Sequence, residues 1–477
     1  MRSLRPLLNS PRLVAALILG LGGIATYIIN FPGSMEDDSF VQLLEGRSES
    51  YSFWHPPIMS WMLGVSDAAV GPAAAWFVLF DMLLAFGALI GVLWLARRVS
   101  WWAVACAGAI LFLPQLLMLQ AVVWKDALFA NACVAGFVCM GLAAEHWQHA
   151  RFRIGMLCGC AVLLALAMLT RQNGLVVLPC AIVGLAIIAA RQAKAWRVGV
   201  GYGAALLLIA GGLALGANSL LELRWDGTPS REEQIKILRL YDITGMVKRN
   251  PAITLESLQS DDPQLRQVIF DEGIRRWSPL KNDTLEYSPR IVAALDAAPS
   301  YALWNQWFEL VTAYPGTYLA VRAELFLWVF QSPDVGKCHP FHVGDQGNAA
   351  DLKELNARPR LDARDIALWH YGDILEYTPV FWHAAYAVVG FFLFVVAVRR
   401  RRPADIAVAS MIAAVMTFTA TFFVVSIACD YRYLYVIDLS ALAGLLYLAA
   451  DPPFGQQKGG PKAPLKDNFD APVSARD

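Results

Sequence analysis

The sequence predicts an all-α integral membrane protein with about ten transmembrane helices. Hydrophobic residues make up 57% of the 477 positions and charged residues only 16%. The mean hydropathy of +0.46 is too high for a chain that folds as one soluble globule. Lys plus Arg equal Asp plus Glu at 39 each, so net charge does not favour a nucleic-acid partner.

Ten stretches are long and apolar enough to cross a bilayer, which takes about 20 residues per helix. They lie near residues 13–31, 72–95, 100–118, 127–144, 154–170, 175–190, 198–221, 380–398, 404–428 and 434–450. A further apolar stretch at 318–330 is interrupted by Arg322 and Glu324. We therefore predict an interfacial helix over 310–331 rather than an eleventh span.

Basic residues cluster in alternate short loops, which indicates that these loops face the cytoplasm. The set is Arg2, Arg5 and Arg12; Arg97 and Arg98; Arg151 and Arg153; Arg191, Lys194 and Arg197; Arg399 to Arg402; and Lys458, Lys462 and Lys466. Both termini are then cytoplasmic in a multi-pass protein of a bacterial-type inner membrane. We expect the first span to be retained, because no small-residue cleavage site precedes the first polar loop.

This topology divides the chain into four parts. They are an N-terminal membrane module (1–221) with a first outer loop at 32–71, a mostly helical extracytoplasmic region (222–379), a C-terminal membrane module (380–450) and a disordered cytoplasmic tail (451–477). Of the eight cysteines, Cys338 and Cys429 lie in or beside polar outer loops and are able to pair in an oxidising compartment.

The outer loops carry polar residues at helix ends that topology alone explains poorly. They are Glu36-Asp37-Asp38 with His55-Pro56-Pro57, Trp124-Lys125-Asp126, Arg171-Gln172-Asn173 and Asp430-Tyr431-Arg432-Tyr433. Carboxylates in a partly apolar pocket act as general bases, and a guanidinium matches a phosphate. Simpler interpretations remain open. The acids at 36–38 fit a solvated loop, Asp126 fits an acid that is favoured at a helix N-terminus, and Arg171 fits an arginine that extends to the lipid headgroups.

These motifs resemble the GT-C glycosyltransferases that use polyprenyl-phosphate-linked sugars, especially the family 39 protein mannosyltransferase-like and lipid A aminoarabinose transferase-like group. The resemblance is carried by residues 34–42, by Trp54-His55-Pro56-Pro57-Ile58 and by the order of spans and outer loops. It covers about residues 13–221 and 380–450. The chain departs from family 39 in placing three spans after a large mid-chain loop.

By this resemblance, the base that deprotonates the acceptor is Asp38 or Asp37, and we favour Asp38. Arg432, Arg171 and Lys125 are expected to bind the donor phosphate. Supporting roles fall on Asp126, His55, Tyr433 and Asn173.

The expected partners are a polyprenyl-phosphate-linked sugar donor, a glycan, lipid or protein acceptor, and the lipid bilayer. A divalent cation on Asp37, Asp38 or Asp126 is compatible with this chemistry but is not required, because arginines can neutralise the phosphate. No other cofactor is expected.

Two other classes of function remain. A transporter or flippase for a lipid-linked or small polar substrate would use the intramembrane acids Asp81 and Asp438, and it predicts inverted repeats and broken helices, which the sequence does not reveal. A polysaccharide polymerase or ligase would depend on the large loop, where Arg322 and His339 would matter more than Asp38.

Overall fold

The computed structural model describes residues 9–52, 54–227 and 231–452. Arg2, Arg5, Lys458, Lys462, Lys466 and nearly all of the predicted tail lie outside these ranges. The described residues form helices and contain only isolated β-bridges, with no extended strand. The predicted all-α class is confirmed.

The first ten helices form the N-terminal membrane module. They are α1 (Pro11–Asn30), α2 (Asp37–Ser48), α3 (Pro57–Ala69), α4 (Ala73–Val92), α5 (Trp101–Leu111), α6 (Pro114–Leu117), α7 (Lys125–Glu145), α8 (Ala150–Thr170), α9 (Val177–Ala193) and α10 (Trp196–Glu222). Helices α2 and α3 belong to the first outer loop.

Ten helices follow in the region predicted to be extracytoplasmic, most of them short. They are α11 (Arg231–Arg249), α12 (Glu256–Asp261), α13 (Pro263–Val268), α14 (Ile274–Arg276), α15 (Asp283–Glu286), α16 (Pro289–Ala297), α17 (Ser300–Ala313), α18 (Pro315–Phe330), α19 (Ala349–Glu354) and α20 (Ala363–Leu375). The C-terminal module is α21 (His383–Arg400), α22 (Pro403–Val425) and α23 (Tyr435–Ala450), the last preceded by a 3₁₀ turn at Tyr431–Leu434.

Nine helices among the described residues are long and apolar enough to cross a membrane, and one bent pair brings the number to ten. Nine of the ten predicted spans each correspond to one of these helices, and the third corresponds to the bent pair, in which Trp101–Leu111 and Pro114–Ala121 meet at 67°. This break was not expected from the sequence: Pro114 has no backbone N–H to donate to the preceding turn and begins a new helix.

The two ends of the bundle differ in their polar chemistry. At one end, the predicted cytoplasmic residues make structural contacts: Arg12 donates to the carbonyl of Ala96 at 2.5 Å, and Arg97 lies 3.6 Å from Glu145. The other end holds the predicted outer loops. The break in the third span lies toward this end, where Ser34 pairs with Val122 beyond the bend.

The predicted extracytoplasmic region packs as two pieces. Residues between Leu240 and Leu325 share their own apolar core. Residues 335–381 instead pack onto the core of the membrane bundle through side chains such as Phe341, Val343 and Leu368. We call residues 335–362 the strap, because they lie across the first outer loop.

Helix α18 covers the stretch predicted as interfacial, and it is not among the candidate spans. Arg322, which interrupts this stretch, is fully buried and lies 2.5 Å from Asp242 of α11. Arg322 also donates to the carbonyl of Ser426 at 2.9 Å. The arginine therefore joins the outer helices to the C-terminal module.

Candidate active site

The first outer loop forms a helical hairpin that presents Asp38 and His55. Asp37 and Asp38 occupy the first turn of α2, where the helix dipole favours acids. Pro56 and Pro57 begin α3, because proline fits the first turn of a helix, and this places His55 directly before it. His55 is buried, and its Nε2 lies 3.4 Å from Oδ1 of Asp38.

The start of α7 supplies a lysine and an acid to the same place. Lys125 is nearly buried, with Nζ 2.7 Å from Nδ1 of His55 and 3.8 Å from Oδ2 of Asp38. Asp126 is buried and pairs with the guanidinium of Arg171, which ends α8. The outer ends of α7 and α8 thereby join the first outer loop.

Arg432 is the centre of the cluster. Its guanidinium donates to Asp38 at 2.6 Å and to Asp430 at 2.6 Å, pairs with Glu36, and lies 3.7 Å from Asp126. Four carboxylates thus surround one buried guanidinium. We refer to Glu36, Asp38, His55, Lys125, Asp126, Arg171, Asp430 and Arg432 as the charged cluster.

Aromatic rings cover the cations of the charged cluster. The guanidinium carbon of Arg432 lies 5.7 Å from the ring centre of Trp124 and 5.9 Å from that of Tyr433. The guanidinium of Arg171 lies 5.0 Å from the same Tyr433 ring. Tyr433 therefore lies against both arginines.

The pKa values of two outer acids shift in opposite directions. Burial raises the pKa of Asp38, but Lys125 and His55 lower it by more, so the pKa lies well below its usual range and Asp38 is ionised at neutral pH. Burial, together with the charges of Asp126 and Asp38, raises the pKa of Asp430 well above its ordinary value. The cluster thus contains a firmly ionised acid beside one that holds a proton more readily.

The strap fixes the segment that leads into Asp38. Asp345 accepts from the amide of Met35 at 3.0 Å, and the amide of Gly344 donates to the hydroxyl of Ser34 at 3.0 Å. Arg360 donates to the carbonyl of Gly33 at 2.5 Å and to Asp345 at 2.9 Å. The backbone before α2 is therefore held by side chains more than 300 positions away in the chain.

A disulfide joins the strap to the Arg432 segment. Cys338 and Cys429 are bonded, with their Cα atoms 6.1 Å apart. Cys429 directly precedes Asp430. This pairing was one of the options left by the sequence, and it links the two polypeptide segments that border the charged cluster.

Besides Tyr433, which lies against its arginines, two predicted site residues are not members of the charged cluster. Asp37 is exposed, and no described cation of the cluster pairs with it. Asn173 donates to the hydroxyl of Thr421 at 2.8 Å and so ties the turn after α8 to α22. Asp38, rather than Asp37, is the aspartate in contact with Lys125, His55 and Arg432.

Two members of the cluster, Glu36 and Asp430, belong to motifs that the sequence singles out, but no role was predicted for either of them. Glu36 directly precedes Asp37, and Asp430 lies two positions before Arg432. Their closeness in sequence to predicted site residues was enough to predict that they lie at the site. The residues favoured by the polymerase or ligase alternative lie elsewhere: Arg322 is buried against Asp242, and His339 contacts Glu376 at 2.7 Å.

The acids of the transporter alternative are buried in the bundle. Asp438 accepts from the hydroxyl of Tyr431 at 2.5 Å and lies 2.8 Å from His383. This network holds the residue next to Arg432. Within the described ranges, the carboxylate oxygens of Asp81 have no hydrogen-bond partner.

The described residues do not fit a metal site. No group of three or more His, Cys, Asp or Glu side chains among them is arranged to hold an ion. Of the three residues proposed as metal ligands, Asp38 and Asp126 contact arginine or lysine, and Asp37 is exposed.

No family model and no curated protein matches the chain. The chain is similar to several solved structures. The oligosaccharyltransferase AglB of Archaeoglobus fulgidus, in complex with an inhibitory peptide and a dolichol-phosphate, is 12% identical, with a TM-score of 0.39 over 91% of this chain and 50% of that one. Its apo form is 15% identical, with a TM-score of 0.40 over 92% and 50%. ArnT of Cupriavidus metallidurans bound to undecaprenyl phosphate is 15% identical, with a TM-score of 0.33 over 91% and 77%.

The chain spans about half the length of the archaeal enzyme. With TM-scores below 0.5, the likeness assigns no role to any residue. The described helices make this chain an all-α, multi-pass membrane protein.

Proposed function

We propose that this protein is a membrane glycosyltransferase that moves a sugar from a polyprenyl-phosphate donor to an envelope glycan, lipid or protein. The observation that carries the proposal is the contact of Asp38 with Arg432, Lys125 and His55 in one half-buried cluster. A sugar linked to phosphate needs a base for the acceptor and positive charge for the departing phosphate. The charged cluster contains both.

In the proposed reaction, an acceptor hydroxyl attacks the anomeric carbon of the donor while the bond from that carbon to the phosphate oxygen breaks. Asp38 takes the hydroxyl proton. The polyprenyl phosphate leaves with the electron pair, and its new charge is stabilised by Arg432, Arg171 and Lys125. The displacement inverts the configuration at the anomeric carbon.

The ion pairs of the charged cluster suggest how Asp38 gains basicity. Lys125 lies 3.8 Å from Asp38 and Arg432 lies 2.6 Å from it, and Lys125 and His55 keep the pKa of Asp38 low. A donor phosphate competes with Asp38 for the same two cations. As they turn to the phosphate, the pKa of Asp38 rises toward the range of an effective base.

We place the site on the extracytoplasmic side of a bacterial-type inner membrane. The basic loops lie at the other end of the bundle, which favours a cytoplasmic location for that end. The disulfide between Cys338 and Cys429 borders the charged cluster, and structural disulfides persist in oxidising compartments. Both features support the same orientation.

The experiment that tests this function is lipid analysis of cells that lack the protein. The proposal expects one glycosylated polyprenyl carrier to accumulate, and expression of the wild-type chain to clear it. Expression of Asp38→Asn at the same level should not clear it. Unchanged carrier lipids in the deletion strain, under conditions in which the wild-type chain is expressed, would refute the proposed donor class.

A further inference from the structure

A groove runs along the surface between α9, α21 and α22 and reaches the end of the bundle opposite the charged cluster. Its volume is about 660 Å³. The wall is mostly apolar and includes Pro179, Val183, Ile187 and Phe394. The groove follows α9 from Pro179 to Arg191, a rise of about 18 Å at 1.5 Å per residue. This length is close to one leaflet of a hydrocarbon core that is about 30 Å thick.

Two exposed arginines, Arg191 and Arg401, line the mouth of this groove. The guanidinium of Arg191 donates to the backbone carbonyl of Arg401 at 3.2 Å, which brings the two residues together. Among the described residues, neither guanidinium lies within ion-pair distance of a carboxylate. The two arginines that flank Arg401 in sequence do have an acidic partner: Arg400 lies 3.0 Å from Asp451, and Arg402 also pairs with Asp451.

We propose that this groove binds one anionic phospholipid of the leaflet on that side. An acyl chain lies along Val183, Ile187 and Phe394, and the headgroup phosphate lies between Arg191 and Arg401. Two guanidinium groups without acidic partners complement a phosphate, because each offers a fork of donors that matches its oxygens. This site is separate from the charged cluster and does not depend on the proposed function.

A phospholipid fits the groove better than a polyprenyl phosphate does. The apolar wall of the groove extends over about one leaflet, and the charged residues of the groove, Arg191 and Arg401, lie at one end only. That geometry matches an acyl chain of a lipid that stays in its own leaflet. The basic loops at the same end of the bundle favour anionic lipid over zwitterionic lipid.

The test is native mass spectrometry of the full chain, purified in mild detergent and titrated with phosphatidylglycerol, phosphatidylcholine or a polyprenyl phosphate. The double variant Arg191→Gln/Arg401→Gln should lower the affinity for phosphatidylglycerol roughly thirtyfold. The matched control Arg151→Gln/Arg197→Gln removes the same charge at the same end of the bundle, outside the groove. It should bind like the wild type.

A steric variant tests the groove without a change of charge. Val183→Trp fills the apolar wall at an exposed position and should also weaken phosphatidylglycerol binding, while thermal melting in phosphatidylcholine stays at the wild-type value. Equal phosphatidylglycerol binding by both double variants would overturn the proposal. So would undiminished binding by Val183→Trp, or a preference of the groove for polyprenyl phosphate.

Discussion

Arg432 donates a hydrogen bond to Asp38 at 2.6 Å, although 394 positions separate them in the chain. The bond joins the first outer loop to the start of the last span. The same guanidinium contacts Glu36 and Asp430, so it neutralises acids from both ends of the sequence. A phosphate that takes this arginine from Asp38 would change both the charge and the basicity of the site.

We predict that Arg432→Lys lowers the transfer rate about 10²-fold while the protein still folds. Lysine keeps the positive charge but loses the planar fork that contacts several oxygens at once, and one stabilising donor is worth about 10²-fold or more in rate. The measurement is transfer from a labelled donor in membranes, with thermal melting as the folding check. A wild-type rate for Arg432→Lys would mean that this guanidinium does not contact the departing phosphate.

We predict that Gly46→Ala destabilises the protein by about 1–3 kcal/mol, because an added methyl group overpacks a tight helix contact. A Cβ at Gly46 of α2 would overlap the carbonyl of Ser60 and lie 2.7 Å from the amide nitrogen of Gly64 in α3. This contact holds the hairpin that presents Asp38 and His55. The check is thermal melting together with transfer activity.

Gly20→Ala in α1 is the control for this prediction, because a Cβ there meets nothing within 4 Å. It should melt at or slightly above the wild-type temperature. If the two alanine variants melt alike, the close packing of α2 on α3 is not present in the protein.

We predict that Cys338→Ser/Cys429→Ser lowers the free energy of unfolding by about 2–4 kcal/mol, the usual contribution of a disulfide that closes a long loop. Reductant should lower the melting temperature of the wild type to that of the variant and leave the variant unchanged. Cys158→Ser, which replaces an exposed free cysteine, is the control and should have no effect. Peptide mass spectrometry that finds both thiols free in the oxidised protein would contradict this account.

We predict that the protein loses stability between about pH 7 and pH 5.5 and that His342→Gln reduces this loss. Burial lowers the pKa of His342. Its hydrogen bonds to the backbone of Met35 and Gly344 and the nearby charges of Asp345 and Asp37 raise the pKa, but by less. The unfolded chain, with a histidine pKa near 6.5, then binds more protons than the folded chain as pH falls, so folding is disfavoured.

Thermal melting across this pH range, for the wild type and for His342→Gln, measures the effect. His370→Gln, which replaces an exposed histidine of α20, serves as the control. If the melting temperatures of the wild type and of His342→Gln fall in parallel as pH decreases, protonation of His342 does not cause the loss of stability.

The spans could be predicted from sequence because a bilayer imposes a length and an apolar composition that are readable locally. The break before Pro114 was missed, since the apolar stretch continues through it and only the proline signals the bend. From the sequence, Arg322 was interpreted only as an interruption of the apolar stretch at 318–330. Its buried partner Asp242 lies 80 positions earlier in the chain, and no local pattern connects them.

Most of the charged cluster was predictable for a different reason. Polar residues at the outer ends of helices converge once the topology is known, so Asp38, Lys125, Asp126, Arg171 and Arg432 were identified together. The strap was not, because it is irregular apart from α19, and its hydrogen bonds to Gly33, Ser34 and Met35 depend on long-range packing. The choice between Asp37 and Asp38 likewise depended on which side of α2 faces the bundle.

The most direct test of the central claim compares Asp38→Asn with Asp37→Asn in the same transfer assay with labelled polyprenyl-phosphate donor. Both variants remove one negative charge from the first turn of α2, but only Asp38 contacts Arg432, Lys125 and His55. We predict that Asp38→Asn lowers the transfer rate by about 10²–10⁴-fold, the contribution of a general base. Asp37→Asn should retain nearly the wild-type rate. Full activity in Asp38→Asn, in membranes that contain normal amounts of folded protein, would contradict the account.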